Sequence, residues 1–351
     1  MLRCHIKLKI FIVLLLLGAA AAAYYRVIYG PRHAVEGEPA YVLPTSLEVM
    51  DTTAPVRSVI GHFKAGDRVQ VIGRTAHWSK IQMPHDEMGW VESKDLLDAA
   101  TYQRGETLLK SLETFPAQAT GHTSTTTNLR LDPGRDSIVL SELAENQPVE
   151  IFGRRVVDRP PAANAPPSGR AHARDVWYLV RAHSRAGWVL GRLVDLDVPA
   201  GISVYGEGVN MVAWIVLRTV DDGGKAVQEY LVADRIGGGD FDFNHIRVFT
   251  WWVKHHKYVT AYVQSNLSGY FPIVSRQMTD PAYYAQPSPY FRLHLVGVDG
   301  RHYQEVYGLF DTIVREVGTV DGWESAAMPS RRPPSSARRE RHRQARRRTR
   351  R

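Results

Sequence analysis

The stretch GGGDFDFNH (237–245) sets Asp240, Asp242 and Asn244 at alternate positions, the spacing at which a calcium loop presents its oxygen ligands. The pattern then fails, because the glycine needed next is His245 and the closing acidic position is Trp251. Read instead as a strand, the alternation sends Phe241 and Phe243 inward and the three polar groups outward. His255 and His256 are adjacent, so on a strand they point to opposite faces and cannot grip one metal; a hairpin turn suits them better. There is no G-x-S-x-G elbow, no H-E-x-x-H and no phosphate loop, and the glycines at 237–239 run into an aspartate that repels phosphate. Cys4 is the only cysteine, which leaves no disulfide and no thiol nucleophile downstream. The reading is of a chain without catalytic residues, metal or cofactor.

Charge points to the ends of the chain rather than its middle. The 351 residues carry a net charge of +8, but Arg3, Lys7 and Lys9 supply +3 and residues 331–351, with 11 arginines against Glu340, supply +10, which leaves the rest at −5. The start reads as an export signal: a basic opening, an apolar run IFIVLLLLG (10–18) and five alanines at 19–23. The uncharged stretch 10–23 covers about 21 Å as a helix against about 30 Å of hydrocarbon, so cleavage before Tyr24 is expected. The competing reading is an uncleaved anchor with Tyr24, Tyr25 and Arg26 at the membrane interface. Either way the protein is expected outside the cytoplasm, in a periplasm or cell envelope. The tail RRPPSSARRERHRQARRRTRR has no apolar face and reads as disordered, with Arg338, Arg339, Arg346, Arg347 and Arg348 as candidate contacts for an anionic membrane surface. No nucleic acid partner is expected.

A repeat gives the best handle on the middle. GDRVQVIGR, WSKI and GWVESKDL (66–96) are answered by NQPVEIFGR, WYLV and GWVLGRL (146–193). Ser58-Val59-Ile60 answers Ser137-Ile138-Val139, and Trp78 and Trp90 answer Trp177 and Trp188. These are short β-branched segments between Gly, Asp and Pro turns, the composition of strands. The offset between copies grows by about twenty residues across DRPPAANAPPSGRAHA (158–173), a Pro- and Ala-rich insertion that reads as an exposed loop.

In that order, twice over, the motifs resemble the bacterial SH3 family of small barrels. The second copy carries the whole pattern from NLRLDPGRDSIVLSEL onward, while the first lacks the Asn-x-Arg opening. The resemblance implies one SH3-like barrel over 38–100 and another over 122–198, with peptidoglycan or peptide as ligand. Glycine in Gly-Trp-Val serves the sharp strand bends of a small barrel, and the tryptophan ring covers a barrel end. Trp78, Trp90, Trp177, Tyr178 and Trp188 are therefore packing residues first and candidates for lining a ligand groove second.

Residues 200–325 read as a third all-β region, an antiparallel sandwich or barrel of roughly seven strands, with a type I′ hairpin expected at Asp299-Gly300 and a turn at YGEG (205–208). The fold class is thus all-β throughout. The favoured function is a non-catalytic envelope binding or scaffold protein for cell-wall glycan or peptide. The rivals are an envelope hydrolase with its active site in 200–325 and a membrane-tethered sensor.

Overall fold

The computed structural model describes residues 37–159, 174–280 and 284–322. The N-terminal apolar run, most of the Pro/Ala-rich insertion and the arginine tail with Arg338, Arg339, Arg346, Arg347 and Arg348 lie outside them. Among the described residues no helix is long and apolar enough to cross a membrane. The chain divides into two compact units that meet between Ala100 and Thr101.

The first unit is one seven-stranded antiparallel sheet. Its strands are β1 (Glu38–Val42), β2 (Ser46–Met50), β3 (Val59–Lys64), β4 (Arg68–Arg74), β5 (Trp78–Gln82), β6 (Met88–Glu92) and β7 (Leu96–Asp98), in the order β3-β2-β6-β5-β4-β1-β7. Alternate residues Val49, Val69, Val71, Ile81 and Val91 turn into a shared core with Ala40, Val42 and Leu47.

The second unit opens with helix α1 (Ala99–Leu112), which begins at the boundary, and then repeats the sheet. Strands β8 (Ala119–Thr123), β9 (Thr127–Arg130), β10 (Val139–Leu143), β11 (Pro148–Asp158), β12 (Arg174–Ala182), β13 (Arg185–Leu190) and β14 (Val194–Leu196) follow the order β10-β9-β13-β12-β11-β8-β14. This is the order of the first sheet shifted by seven strands, so the sequence echo is an echo of topology. The second sheet starts at Ala119, a little before the expected 122.

The glycine of Gly-Trp-Val has a steric cause, since strands cross closely over a small core. A Cβ on Gly89 would sit 2.1 Å from Val49 Cγ1, and one on Gly187 would sit 2.7 Å from both Arg130 O and Leu129 Cγ. The neighbouring tryptophan does not cover a barrel end as expected. Inward positions belong to Gly89 and Val91 in one copy and Gly187 and Val189 in the other, which places Trp90 and Trp188 on the outer face.

The third sheet is an up-and-down meander: β15 (Asn210–Asp222), β16 (Lys225–Arg235), β17 (Phe243–Trp252), β18 (Lys257–Asp280), β19 (Tyr284–Val296), β20 (His302–Phe310) and β21 (Ile313–Asp321), paired in chain order. It curls around a core that includes Ile215, Leu231, Ile246, Phe271, Leu293 and Leu309. Its other face, with Trp214, Tyr230, Val232 and Phe249, shares one buried cluster with Leu129, Val149, Val180 and Val189 of the second sheet. The second and third β-regions therefore pack as one body.

Two turns differ from expectation. The hairpin at Asp299-Gly300 is not type I′, which needs positive φ at both central residues; only Gly300 has it, at φ 79°. Gly300 N–H donates to Gly297 O (2.9 Å) and Gly297 N–H to Arg301 O (2.8 Å), so a type I turn ends in a glycine bulge. The two-residue type I′ geometry falls at Gly223-Gly224, with φ 65° and 89°.

Asp242 is the larger correction, because it points inward and is 4% exposed. The β18–β19 register jumps between Tyr270 and Val274, which leaves residues 271–273 off the ladder. Phe271 N–H donates to Asp242 Oδ2 (3.0 Å), Pro272 has no N–H, and Ile273 N–H donates to Gln118 Oε1 (2.7 Å). Two buried side chains thus replace the missing strand partner of this bulge.

Candidate functional site

On the first sheet Lys80 faces Trp90 and Trp78 faces Glu92 across the β5–β6 ladder. Directly opposed residues share a face, so Trp78, Lys80 and Trp90 stand together on the outside, with Ser79, Ile81 and Val91 behind them in the core. Both tryptophans are half-buried. The Arg57 guanidinium lies 4.8 Å from the Trp78 ring centre and the Lys80 ammonium 5.8 Å from that of Trp90. The result is a surface of two indole rings interleaved with cations, suited to stacking against a sugar or aliphatic face while pairing with a carboxylate.

The same positions on the second sheet have a different fate. Leu179 faces Trp188 and Trp177 faces Leu190, so leucines stand where the first copy has Lys80 and Glu92. Trp177 is 3% exposed and Trp188 fully buried. Leu108, Leu109 and Leu112 of helix α1, with Phe115 and Ala117 after it, close over them in one apolar cluster with Phe152 and Ala186. Trp188 is therefore a packing residue with no ring surface to offer a ligand. Trp177 borders a cleft of about 210 Å³ beside Arg135 and Val157.

Tyr178, on the opposite side of β12 from these tryptophans, takes part in a second arrangement. A cleft of about 360 Å³ opens where the β11–β12 hairpin and the Gly191–Leu193 turn meet the start of β15 and the end of β16. Arg154, Arg159, Arg174, Arg192 and Arg235 line it, with Asp175 as the single carboxylate on its wall among the described residues. Asp175 accepts from Arg135 Nε and Arg159 Nη2, both at 2.7 Å, and these two bonds hold its carboxyl down to about 2. Arg174 Nη1 donates to Asp240 Oδ1 at 2.6 Å. Arg154 is 6% exposed; it donates to Phe241 O at 3.2 Å and lies 3.8 Å from Asp242 Oδ1. Burial, then the nearby Arg235 guanidinium, push Arg154 below the ordinary arginine range. Arg235 donates through both Nη atoms to Gly237 O and Gly239 O, and its buried Nε has no hydrogen-bond partner among the described residues.

Elsewhere on the third sheet polar groups pair among themselves. The fully buried Asp234 carboxylate accepts two bonds from Arg247 and lies 2.8 Å from His245 Nδ1. The Tyr307 hydroxyl lies 2.6 Å from Gln264 Oε1 and from Glu305 Oε2, and burial followed by the Glu305 contact pushes it up. His255 packs on the Trp252 ring, and His256 lies in a left-handed turn, 2.7 Å through Nδ1 from Asp222 Oδ2. The pair therefore sits in the turn between β17 and β18.

No family model matches the chain, and no curated protein matches it. Among solved structures it is similar to NlpC2 from Trichomonas vaginalis, at 9% identity and a TM-score of 0.16 over 66% of this chain and 97% of that one. A second is NlpC1 from the same organism, at 8% identity and a TM-score of 0.16 over 65% and 88%. A third is an NlpC/P60 family protein from Bacillus cereus, at 11% identity and a TM-score of 0.19 over 65% and 94%. At such TM-scores these overlaps do not establish a shared fold.

Proposed function

We propose that the chain is an exported, non-catalytic binding or scaffold protein of a cell envelope, in which the Trp78–Lys80–Trp90 face of the first SH3-like sheet takes cell-wall glycan or peptide. The observation that carries this reading is the contrast between equivalent positions. In the second copy the outer tryptophans lie beneath helix α1 and are flanked by leucines. In the first they stay half-buried and are flanked by Lys80 and Glu92. An aromatic surface left partly open and edged with charge has the composition of a recognition surface rather than of a core.

The polar clusters of the third sheet, around Asp234 and Tyr307, are bonded internally. That favours binding over hydrolysis. The arginine tail adds salt-sensitive adhesion to anionic surfaces through charge alone.

Sedimentation of the full chain with purified sacculi tests the reading. Wild-type protein is expected to co-sediment, and a Trp78→Ala/Trp90→Ala variant to lose at least about tenfold in affinity, on the scale of an interface hot spot. The melting temperature of the second unit should be unchanged. Wild-type sedimentation by the double variant would overturn the assignment of this face.

A further inference from the structure

The arginine cleft is not explained by the tryptophan face, because it lies in the other compact unit and is built from different chemistry. We propose that it is a binding site for a small ligand carrying an oxyanion, either a carboxylate or a phosphate, held by Arg154, Arg174, Arg192 and Arg235 against the Tyr178 ring.

Four observations support this. First, the charges on the wall do not balance: five guanidiniums, those of Arg154, Arg159, Arg174, Arg192 and Arg235, line the cleft with one carboxylate, Asp175, while Asp240 and Asp242 pair with Arg174 and Arg154. A cluster kept only for stability tends toward neutrality, since each uncompensated buried cation is costly. Second, two of these arginines are constrained from within. Arg154 is buried with its nearest carboxylate oxygen 3.8 Å away, beyond hydrogen-bond distance, and Arg235 holds a buried Nε–H with no acceptor among the described residues. A buried donor left unmet costs about 1–3 kcal/mol, which marks the Arg235 guanidinium as undercompensated positive charge on the cleft wall. Third, Arg192 is exposed on the rim and makes no ion pair or hydrogen bond among the described residues, so it is held by nothing that an anion would have to displace. Fourth, the volume of about 360 Å³ lies at the small end of ligand pockets. Val176, Leu190 and Val212 complete a partly apolar wall beside Tyr178.

The guanidinium fork matches the paired oxygens of carboxylate and phosphate alike. The chemistry shared by the two is therefore what the cleft selects, and the ligand source is left to the experiment.

That experiment is isothermal titration of the full chain with sodium phosphate and, separately, with sodium succinate, each against sodium chloride at matched ionic strength. Saturable binding of at least one of the two above the chloride control is expected. Stronger phosphate binding indicates a phosphorylated ligand, and stronger succinate binding a carboxylate ligand. Arg192→Gln and Arg174→Gln should each weaken binding about tenfold or more, while Arg192→Lys, which keeps the charge and loses the fork, should weaken it less. Because Arg192 is exposed and makes no ion pair or hydrogen bond among the described residues, Arg192→Gln should melt like wild type without anion. The arginine tail is present in every variant, so its own anion binding cancels in the comparison. Saturable binding of neither anion above chloride, or wild-type binding by both glutamine variants, would overturn the proposal.

Discussion

The side-chain amide of Gln118 closes two hydrogen bonds on the backbone of Ile273: Oε1 accepts from its N–H at 2.7 Å and Nε2 donates to its C=O at 3.2 Å. Gln118 also donates its own N–H to Ile151 O and accepts from Trp214 N–H, so one fully buried residue joins β11, β15 and β18. Gln118→Met keeps the volume and removes these two bonds together with the one that Nε2 donates to Pro116 O at 2.8 Å. The loss should be about 1–3 kcal/mol for each backbone group left unmet. Denaturant melts should show the lower stability, and hydrogen exchange should show Ile273 losing protection; unchanged protection would mean that water satisfies the bulge.

Gly89 and Gly187 should resist enlargement for reasons of space alone. An added methyl at Gly89 meets Val49 Cγ1 at 2.1 Å, and at Gly187 it meets the backbone oxygen of Arg130 at 2.7 Å. Gly89→Ala and Gly187→Ala are each expected to cost about 1–3 kcal/mol through overpacking. The costlier of the two should be Gly187→Ala, because a carbonyl yields less than a methyl. Thermal denaturation of both variants checks the order.

Truncating the two outer tryptophans should separate stability from binding. Trp188→Ala removes a fully buried ring from the cluster under helix α1 and should cost roughly 3–5 kcal/mol. Trp90 is half-buried, so Trp90→Ala should cost roughly 1 kcal/mol and act mainly on ligand affinity. Equal losses of stability in the two variants would show that the first-sheet face is as much core as its counterpart.

His294 makes stability depend on acidity. Burial, then the Arg292 guanidinium, lower it from 6.5 to about 4, so the folded protein keeps it neutral where the unfolded chain is already protonated. Between those values the unfolded state binds the extra proton. Stability therefore falls as pH drops from about 6.5 toward 4, by up to about 3 kcal/mol. His294→Gln should flatten that part of the pH–stability curve, as measured by urea unfolding at steps between pH 7 and 4.

The strands were legible in the sequence where turns and β-branched runs alternate, and the repeated motifs fall on corresponding strands of the two seven-stranded sheets. Even the different fates of the tryptophans were written there, in Lys80 and Glu92 against Leu179 and Leu190. Their meaning depends on helix α1, whose sequence signal is weak. Its signal is short: Leu108, Leu109, Leu112 and Phe115 fall on one helical face over barely two turns, with Gly105 interrupting before them. Alternation predicts Asp242 outward only on an unbroken strand, whereas Phe243 is the first residue of β17 and Asp242 serves a bulge that begins 29 residues on, at Phe271. The arginine cleft left no local signal at all. Its residues are scattered from 154 to 235, each resembling a solvated arginine when taken one at a time.

The buried cluster running from Leu129 and Val189 through Met211 to Trp214 and Phe249 belongs to neither the second repeat nor the third sheet alone. Heat should therefore find no seam near Pro199 and Gly201, even though their composition resembles a linker. Residues 101–322 are expected to give a single calorimetric transition, and a fragment ended at 198 to expose an apolar wall and aggregate. The module that can be copied along a gene is smaller here than the module that can melt.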